Sequence, residues 1–354
     1  MIAVYVSGHG YGHATRVGEV LRALRASAPE CALAVVSEAP ESLFRAAIPG
    51  DFLFRSVSCD VGLSQKDALR IDLESTRNRL STFYAGYEAL VAAEAVWLRA
   101  WGAKLVLGDI PPLAFAAADA AGIRSAAVAN FSWDWVYAHL GLETAAHAAA
   151  TDYAHAHLLL RLPFAAEFSA FARVRDVPLV ARRPSLSRET ARARLGLDRR
   201  PAVLLSFGGI GLADFDARVL EPLSAHQFVL TEPSGTRAPH IHRIGHAELR
   251  AAGMEYIDLV AACDVVVSKP GYGIVSDAIA AGAHMIYTDR GDFPEYPIMV
   301  NEMPRYLSCV HVSNEALLAG DLGDALRDVL AQTPPALPNL SGADVVAQAL
   351  LTYV

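Results

Sequence analysis

Residues 264–282 read DVVVSKPGYGIVSDAIAAG, a strand, a Pro-Gly-Tyr-Gly turn and a helix near 274–281 in immediate succession. The run of valines is continuous rather than alternating, as in a strand buried on both faces of a parallel sheet. A turn of this kind aims the free amides of the helix start at whatever lies above the strand end, which favours a phosphate. Gly271 and Gly273 remove side chains where an anion must approach the backbone, Tyr272 lies in the same turn, and Ser268 or Lys269 would add a donor. Asp277, one turn into the helix, is placed to accept hydrogen bonds from ribose hydroxyls. A tight turn with nothing bound and Asp277 on a solvated face accounts for this stretch equally well.

The same alternation extends in both directions. Downstream of 200, strands are expected at 202–209, 227–232, 264–269 and 284–289, with helices near 214–222, 258–262 and 274–281. Upstream, strands are expected at 2–7, 33–38, 52–57, 104–109 and 124–130, with helices near 15–26, 41–47 and 113–121 and a long helical region over 67–100. Residues 163–202 are rich in Arg, Pro and Ser, and PLVARRPSL places a linker near 178–186. The expected class is therefore α/β, with two Rossmann-like parallel-sheet domains facing a cleft: 1–180, 181–338, and a C-terminal helical segment, 339–354, that crosses back.

Composition bounds the partners. The 354 residues are 53% hydrophobic and 19% charged, enough apolar surface for two cores and too little charge for extended disorder. A net charge of −8 argues against sequence-independent binding to nucleic acid or anionic membrane. Ala-rich stretches such as 113–129 are interrupted by Asp119 and Arg124, so no transmembrane segment is expected. Residues 1–10 lack the basic region and cleavage site of a signal peptide, from which a cytoplasmic location is expected. Cys31, Cys59, Cys263 and Cys309 are far apart and read as buried thiols rather than a disulfide or zinc framework.

Other segments carry candidate chemistry. SFGGIG, 206–211, is a second glycine-rich turn, and with Gly208 and Gly209 it would suit the other phosphate of a diphosphate; it lacks the full dinucleotide fingerprint. SGHGYGHATR, 7–16, sets His9, Gly10, Tyr11 and His13 at the mouth of the first sheet. One histidine could serve as a base, or both could cap and pack. Their spacing of four could suit a metal, but the intervening Gly-Tyr-Gly argues against a helix, and no metal site is expected. Asp109, at the end of KLVLGD, could orient His13 or cap the following helix. Trp133 and Asp134 in NFSWDWVY, 130–137, offer a flat ring and a polar partner to a sugar, or belong to the core. TDRGDFPEYP, 288–297, gathers Asp289, Arg290, Asp292 and Glu295, whose carboxylates could grip sugar hydroxyls.

Together SGHGYGHATR, DIPPLAF, NFSWDWVY, KPGYGIVSDAIAAG and TDRGDFPEYP are similar to the glycosyltransferase-like half of L-arabinokinase-type proteins. More broadly they resemble the GT-B superfamily and its UDP-sugar transferases. The sugar-kinase half and its ATP-binding glycine loop are not part of the likeness, so sugar phosphorylation is not implied. The resemblance implies an acceptor in the N-terminal domain and a nucleotide-sugar donor of the UDP type in the C-terminal one, as a co-substrate without metal or other cofactor. It places His13 as the histidine of the first glycine loop and Gly271 and Gly273 in the diphosphate turn. Asp277 takes the place of a ribose-binding Glu, and Asp292 and Glu295 fall in the loop that touches the donor sugar. The expected activity is inverting transfer to an unidentified acceptor, with His13 as base. Its rivals are a nucleotide-sugar hydrolase or epimerase on the same fold and a non-catalytic binding module.

Overall fold

The computed structural model describes residues 1–67, 70–208, 212, 215–231, 236 and 238–353. The first lobe runs β1 (Ile2–Val6), α1 (Tyr11–Ser27), β2 (Leu33–Val36), α2 (Glu41–Ala47), β3 (Leu53–Arg55), α3 (Leu73–Ala85), α4 (Tyr87–Trp101), β4 (Leu105–Asp109), α5 (Pro112–Ala121), β5 (Arg124–Ala129), α6 (Trp133–His139), α7 (Glu143–Tyr153), β6 (Leu158–Arg161) and β7 (Val174–Asp176). The second runs α8 (Arg188–Arg194), β8 (Ala202–Leu205), β9 (Gln227–Leu230), β10 (Ile241–Arg243), α9 (His246–Ala251), α10 (Tyr256–Ala262), β11 (Val265–Ser268), α11 (Tyr272–Ala281), β12 (His284–Tyr287), α12 (Glu295–Glu302), β13 (Cys309–His311), α13 (Asn314–Ala319), α14 (Gly323–Leu330) and α15 (Gly342–Leu351).

Among the described residues the strands form two all-parallel sheets, ordered β3-β2-β1-β4-β5-β6-β7 and β10-β9-β8-β11-β12-β13. The chain reverses direction of travel across each sheet between β1 and β4 and between β8 and β11. Those are the switch points where open α/β sheets leave a crevice beyond the strand ends. The segments after β1, β4, β8 and β11 are the ones singled out above for their chemistry.

Several boundaries differ from the sequence expectation. Helix α1 begins at Tyr11, so Gly12 and His13 lie in its first turn, and the Gly-Tyr-Gly segment does not keep this stretch out of a helix. Gly10 makes the corner at φ 76°, outside the helix, where glycine costs nothing. The long helical region divides at Gly86 into α3 and α4, and the described residues 61–67 and 70–72 form no helix. Trp133 opens a helix over a stretch to which the sequence reading assigns no element. The strand β7 escapes a hydrophobicity reading because Val174, Arg175 and Asp176 are all exposed at a sheet edge.

One hydrophobic cluster is continuous between the lobes, joining Val4, Val17 and Leu21 to Ile257, Val275 and Leu350. Helix α15 supplies part of that continuity by packing along α1. No helix among the described residues is long and apolar enough to cross a membrane. At the start of α15, a Cβ added to Gly342 would lie 2.2 Å from the Pro178 carbonyl oxygen and 2.7 Å from that of Leu179. Gly342→Ala is therefore expected to displace α15 and destabilise the protein by about 1–3 kcal/mol, as overpacking does. Denaturant unfolding checks this; an unchanged midpoint contradicts it.

Candidate functional site

Asp109 ends β4 fully buried, and two side chains of α1 converge on it through three nitrogen atoms. His13 Nδ1 lies 2.8 Å from Oδ1, Arg16 Nε donates to Oδ2 at 2.8 Å, and Arg16 Nη2 donates to Oδ1 at 2.5 Å. His13 and Arg16 reach the same carboxylate because residues three apart share a helix face. Burial would raise the Asp109 pKa, but the charges and hydrogen bonds of Arg16 and His13 outweigh it and hold the carboxyl below its ordinary range. Arg16 Nη2 also lies 3.1 Å from His13 Nδ1. The closer carboxylate assigns a proton to Nδ1, which leaves Nε2 with the lone pair a base requires.

The polar contacts continue across the molecule. Arg16 Nη1 donates to Asn130 Oδ1 at 2.8 Å, and Asn130 Nδ2 donates to Glu295 Oε1 at 2.6 Å. Arg290 Nη1 closes the chain on Glu295 Oε2 at 2.5 Å and on the Pro270 carbonyl at 3.1 Å. Asn130 follows β5 in the first lobe, while Glu295 opens α12 in the second. The hydrogen bond between them ties the lobes through buried side chains. Phe293 is likewise buried in the first lobe's cluster, against Phe131 at a ring separation of 5.7 Å.

The helix starts meet at the same place. A Cβ on Gly273 would lie 3.6 Å from the Gly12 Cα, and Arg16 Cζ stands 4.8 Å over the Tyr272 ring. The Tyr272 hydroxyl accepts from the Val180 amide at 3.1 Å. Lys269 precedes this turn, and burial together with Arg290 lowers its pKa to about 8. His9 is half-buried, edge-on to Trp133 at 5.2 Å, and its Nδ1 accepts from the Leu63 amide at 3.3 Å. Burial, then His13, Arg290 and Lys269, lower its pKa to about 3, so it is neutral with its proton on Nε2. Gly10 and the exposed Tyr11 border this corner. Gly208, at φ 76°, follows β8, and Gly209 lies outside the described residues.

Other expected ligands are engaged elsewhere. Ser268 is buried and donates its hydroxyl proton to the Ser206 carbonyl at 2.5 Å, tying β8 to β11 rather than offering a donor to an anion. Both Asp277 oxygens are held by Arg182 of the linker, through Nε at 3.1 Å and through Nη2, beside Thr15 and Gly273. Both Glu295 oxygens are taken by Asn130 and Arg290, which makes it an interlobe clamp. Asp292 is exposed and pairs with His139 of α6 at 2.8 Å. Trp133 is fully buried, stacked on Tyr137 at 5.6 Å, and donates Nε1–H to Asp60 at 2.8 Å, so it presents no face to a sugar. Asp134 is buried beside it, and its desolvation raises its pKa. Helix α6 carries both residues inward.

Sequence reasoning gave no part to Arg16, Asn130, Asp60 or Arg182. The spacing of Arg16 from His13 was the available signal; the other three act through partners 73 to 165 residues away, which a linear pattern does not show.

No family model matches the chain. The L-arabinokinase of Arabidopsis thaliana is 33% identical over 365 residues, which is 99% of this chain and 34% of that protein, so the chain spans about a third of its relative's length. The UDP-N-acetylglucosamine--N-acetylmuramyl-(pentapeptide) pyrophosphoryl-undecaprenol N-acetylglucosamine transferase of Clavibacter michiganensis is 28% identical over 174 residues, covering 46% of this chain and 44% of that one. Among solved structures, a Phytolacca americana glycosyltransferase-fold protein, UGT2, complexed with UDP-2fluoro-glucose and pterostilbene, superposes with a TM-score of 0.61 at 11% identity, covering 99% of this chain and 93% of its own. The chain has the GT-B fold. In GT-B terms, the His13–Asp109 pair belongs to the N-terminal lobe and the α11 turn to the C-terminal lobe, and Arg16 touches both.

Removing Arg16 strands Asp109 as a buried charge. Arg16→Met is expected to cost about 3–5 kcal/mol, part of it recovered by adding Asp109→Asn. Because the Asp109 pKa is lowered on folding, its stabilisation is present above about pH 3.9 and is lost as pH falls through the lowered value. Acid unfolding should therefore be shallower in Asp109→Asn than in the wild type. Urea titrations across pH test both statements, and equal acid slopes would count against them.

Proposed function

We propose that this chain is a glycosyltransferase that moves a sugar from a nucleotide-sugar donor of the UDP type to an acceptor hydroxyl. The observation that carries the reading is the meeting of His13 and its carboxylate, in one lobe, with the glycine-flanked start of α11 in the other. Fold and relatives support it: the Clavibacter relative is named for transfer from UDP-N-acetylglucosamine, and the Phytolacca structure carries a UDP-sugar analogue.

In this reading His13 Nε2 takes the acceptor proton as the acceptor oxygen attacks the anomeric carbon. The bond from that carbon to the β-phosphate oxygen breaks on the opposite face, inverting the centre, and UDP departs with the electron pair. Asp109 holds the imidazole in its base tautomer and then stabilises the imidazolium. The free amides at Tyr272 and Gly273, the positive end of α11 and Lys269 stabilise the charge gathering on the diphosphate. These groups take the part a divalent cation plays elsewhere, so the step is written without a metal.

His13→Ala is expected to lower kcat by about 10²–10⁴-fold while UDP affinity stays within about twofold of wild type. Transfer assays beside UDP calorimetry check this, and retained turnover would remove His13 from the chemistry. A second expectation concerns pH. With its pKa lowered to about 8, Lys269 is cationic below that value. UDP affinity should hold steady between about pH 7, above the titration of the terminal phosphate, and about pH 8, and fall above that, and Lys269→Met should flatten the fall; a wild-type profile flat above about pH 7 would contradict the assignment.

A further inference from the structure

An open cavity of about 660 Å³ lies on the N-terminal lobe beside the loop that carries His9. Glu38 forms part of its wall and abuts Gly8, where an added Cβ would sit 3.1 Å from the Glu38 Cβ. Val61 lines it too, immediately before Gly62, whose Cα approaches so closely that an added Cβ would be 2.7 Å from His9. Helix α3 lays its exposed face along the cavity, with Glu74, Asn78 and Thr82 at successive turns and Arg79 beside them.

The lining is mixed. Carboxylate, amide, hydroxyl and guanidinium groups supply donors and acceptors, while Val61, Phe83 and the side-chain stems supply apolar surface in comparable measure, Phe83 packing at 5.5 Å and 5.4 Å from the Tyr84 and Tyr87 rings. A lipid or flat aromatic acceptor would strip water from those polar groups without replacing their hydrogen bonds, at about 1–3 kcal/mol for each group left unpaired. A polyol returns a hydroxyl to each of them, and its C–H face matches a single ring platform. None of the residues expected from sequence to hold the acceptor lines this cavity.

We infer that the acceptor is a polyhydroxylated, water-soluble molecule of the saccharide class, seated in this cavity against Glu38, Asn78, Thr82 and Phe83. The inference rests on the transferase reading and narrows it to a substrate class. It separates this chain from proteins of the same fold that hold a flat aromatic molecule, as the Phytolacca complex holds pterostilbene.

The test is binding rather than turnover. Glucose, galactose, N-acetylglucosamine, maltose and lactose are titrated against the full chain, with and without UDP, by saturation-transfer NMR and calorimetry, with pterostilbene as the apolar counterpart. Wild type is compared with Asn78→Leu/Thr82→Leu, both on an exposed helix face, and with Glu38→Gln as a second, milder variant. The expected result is that at least one saccharide binds, pterostilbene does not, and saccharide affinity falls about tenfold or more in the double variant, the loss of one or two hydrogen bonds. UDP affinity should be unchanged in the same variants. Absence of binding by every saccharide, preference for pterostilbene, or saccharide affinity untouched by both variants would overturn the inference. Failure of UDP to bind the wild type would instead count against the transferase reading, and the saccharide titrations without UDP would still decide the cavity's ligand class.

Discussion

Asp109 is a carboxylate with no exposure to water, and the rest of the site follows from the need to neutralise it. An isolated buried anion would protonate, so Arg16 and His13 are drawn to its two oxygens. Arg16 is itself buried and has further donors to satisfy, one of which it gives to Asn130. Asn130 then has an amide N–H₂ to satisfy and finds Glu295 in the other lobe, which in turn requires Arg290. Each partner brings a further unsatisfied group, and the chain ends only after crossing the cleft. The lobes are closed on each other by the same polar sequence that positions His13.

The shared carboxylate has a chemical consequence. In a simple histidine–carboxylate dyad the anion belongs to the imidazole alone. Here Arg16 balances it permanently, so Asp109 orients His13 without offering it a full negative charge. Arg16 is offset by Asp109 and Arg290 by Glu295, while His9 is neutral and Lys269 adds a cation beside them. A cation at the positive end of α11 suits a diphosphate.

The fold was legible because its signals are local. Continuous apolar strands, glycine turns at their ends and helical spacing afterwards all lie within twenty residues, and the switch-point rule then places the loops. His13 and Asp109 were legible for the same reason, since each ends a recognisable strand or opens a helix. The residues that misled are those whose roles depend on distant partners. Asp277 sits where a ribose ligand is expected, but its pairing with Arg182 of the linker had no sequence signal. Trp133 has the chemistry of a sugar platform, yet α6 turns it into the core and onto Asp60. Glu295 sits in the expected sugar loop, yet the proline-fixed turn that carries it is a strap pinned to the first lobe by Phe293. The cavity on α3 had no sequence signal, because an amphipathic surface helix and a ligand-lining helix share one pattern.

The central claim is that both lobes build one site around the His13 corner and the α11 turn. A crystal structure of the protein with UDP tests it most directly. The account predicts the β-phosphate within hydrogen-bonding distance of the Tyr272 and Gly273 amides and Lys269, with the His13 imidazole on the far side of the terminal phosphate oxygen. UDP bound on any other surface, or at α11 but with His13 directed away from that oxygen, would contradict it.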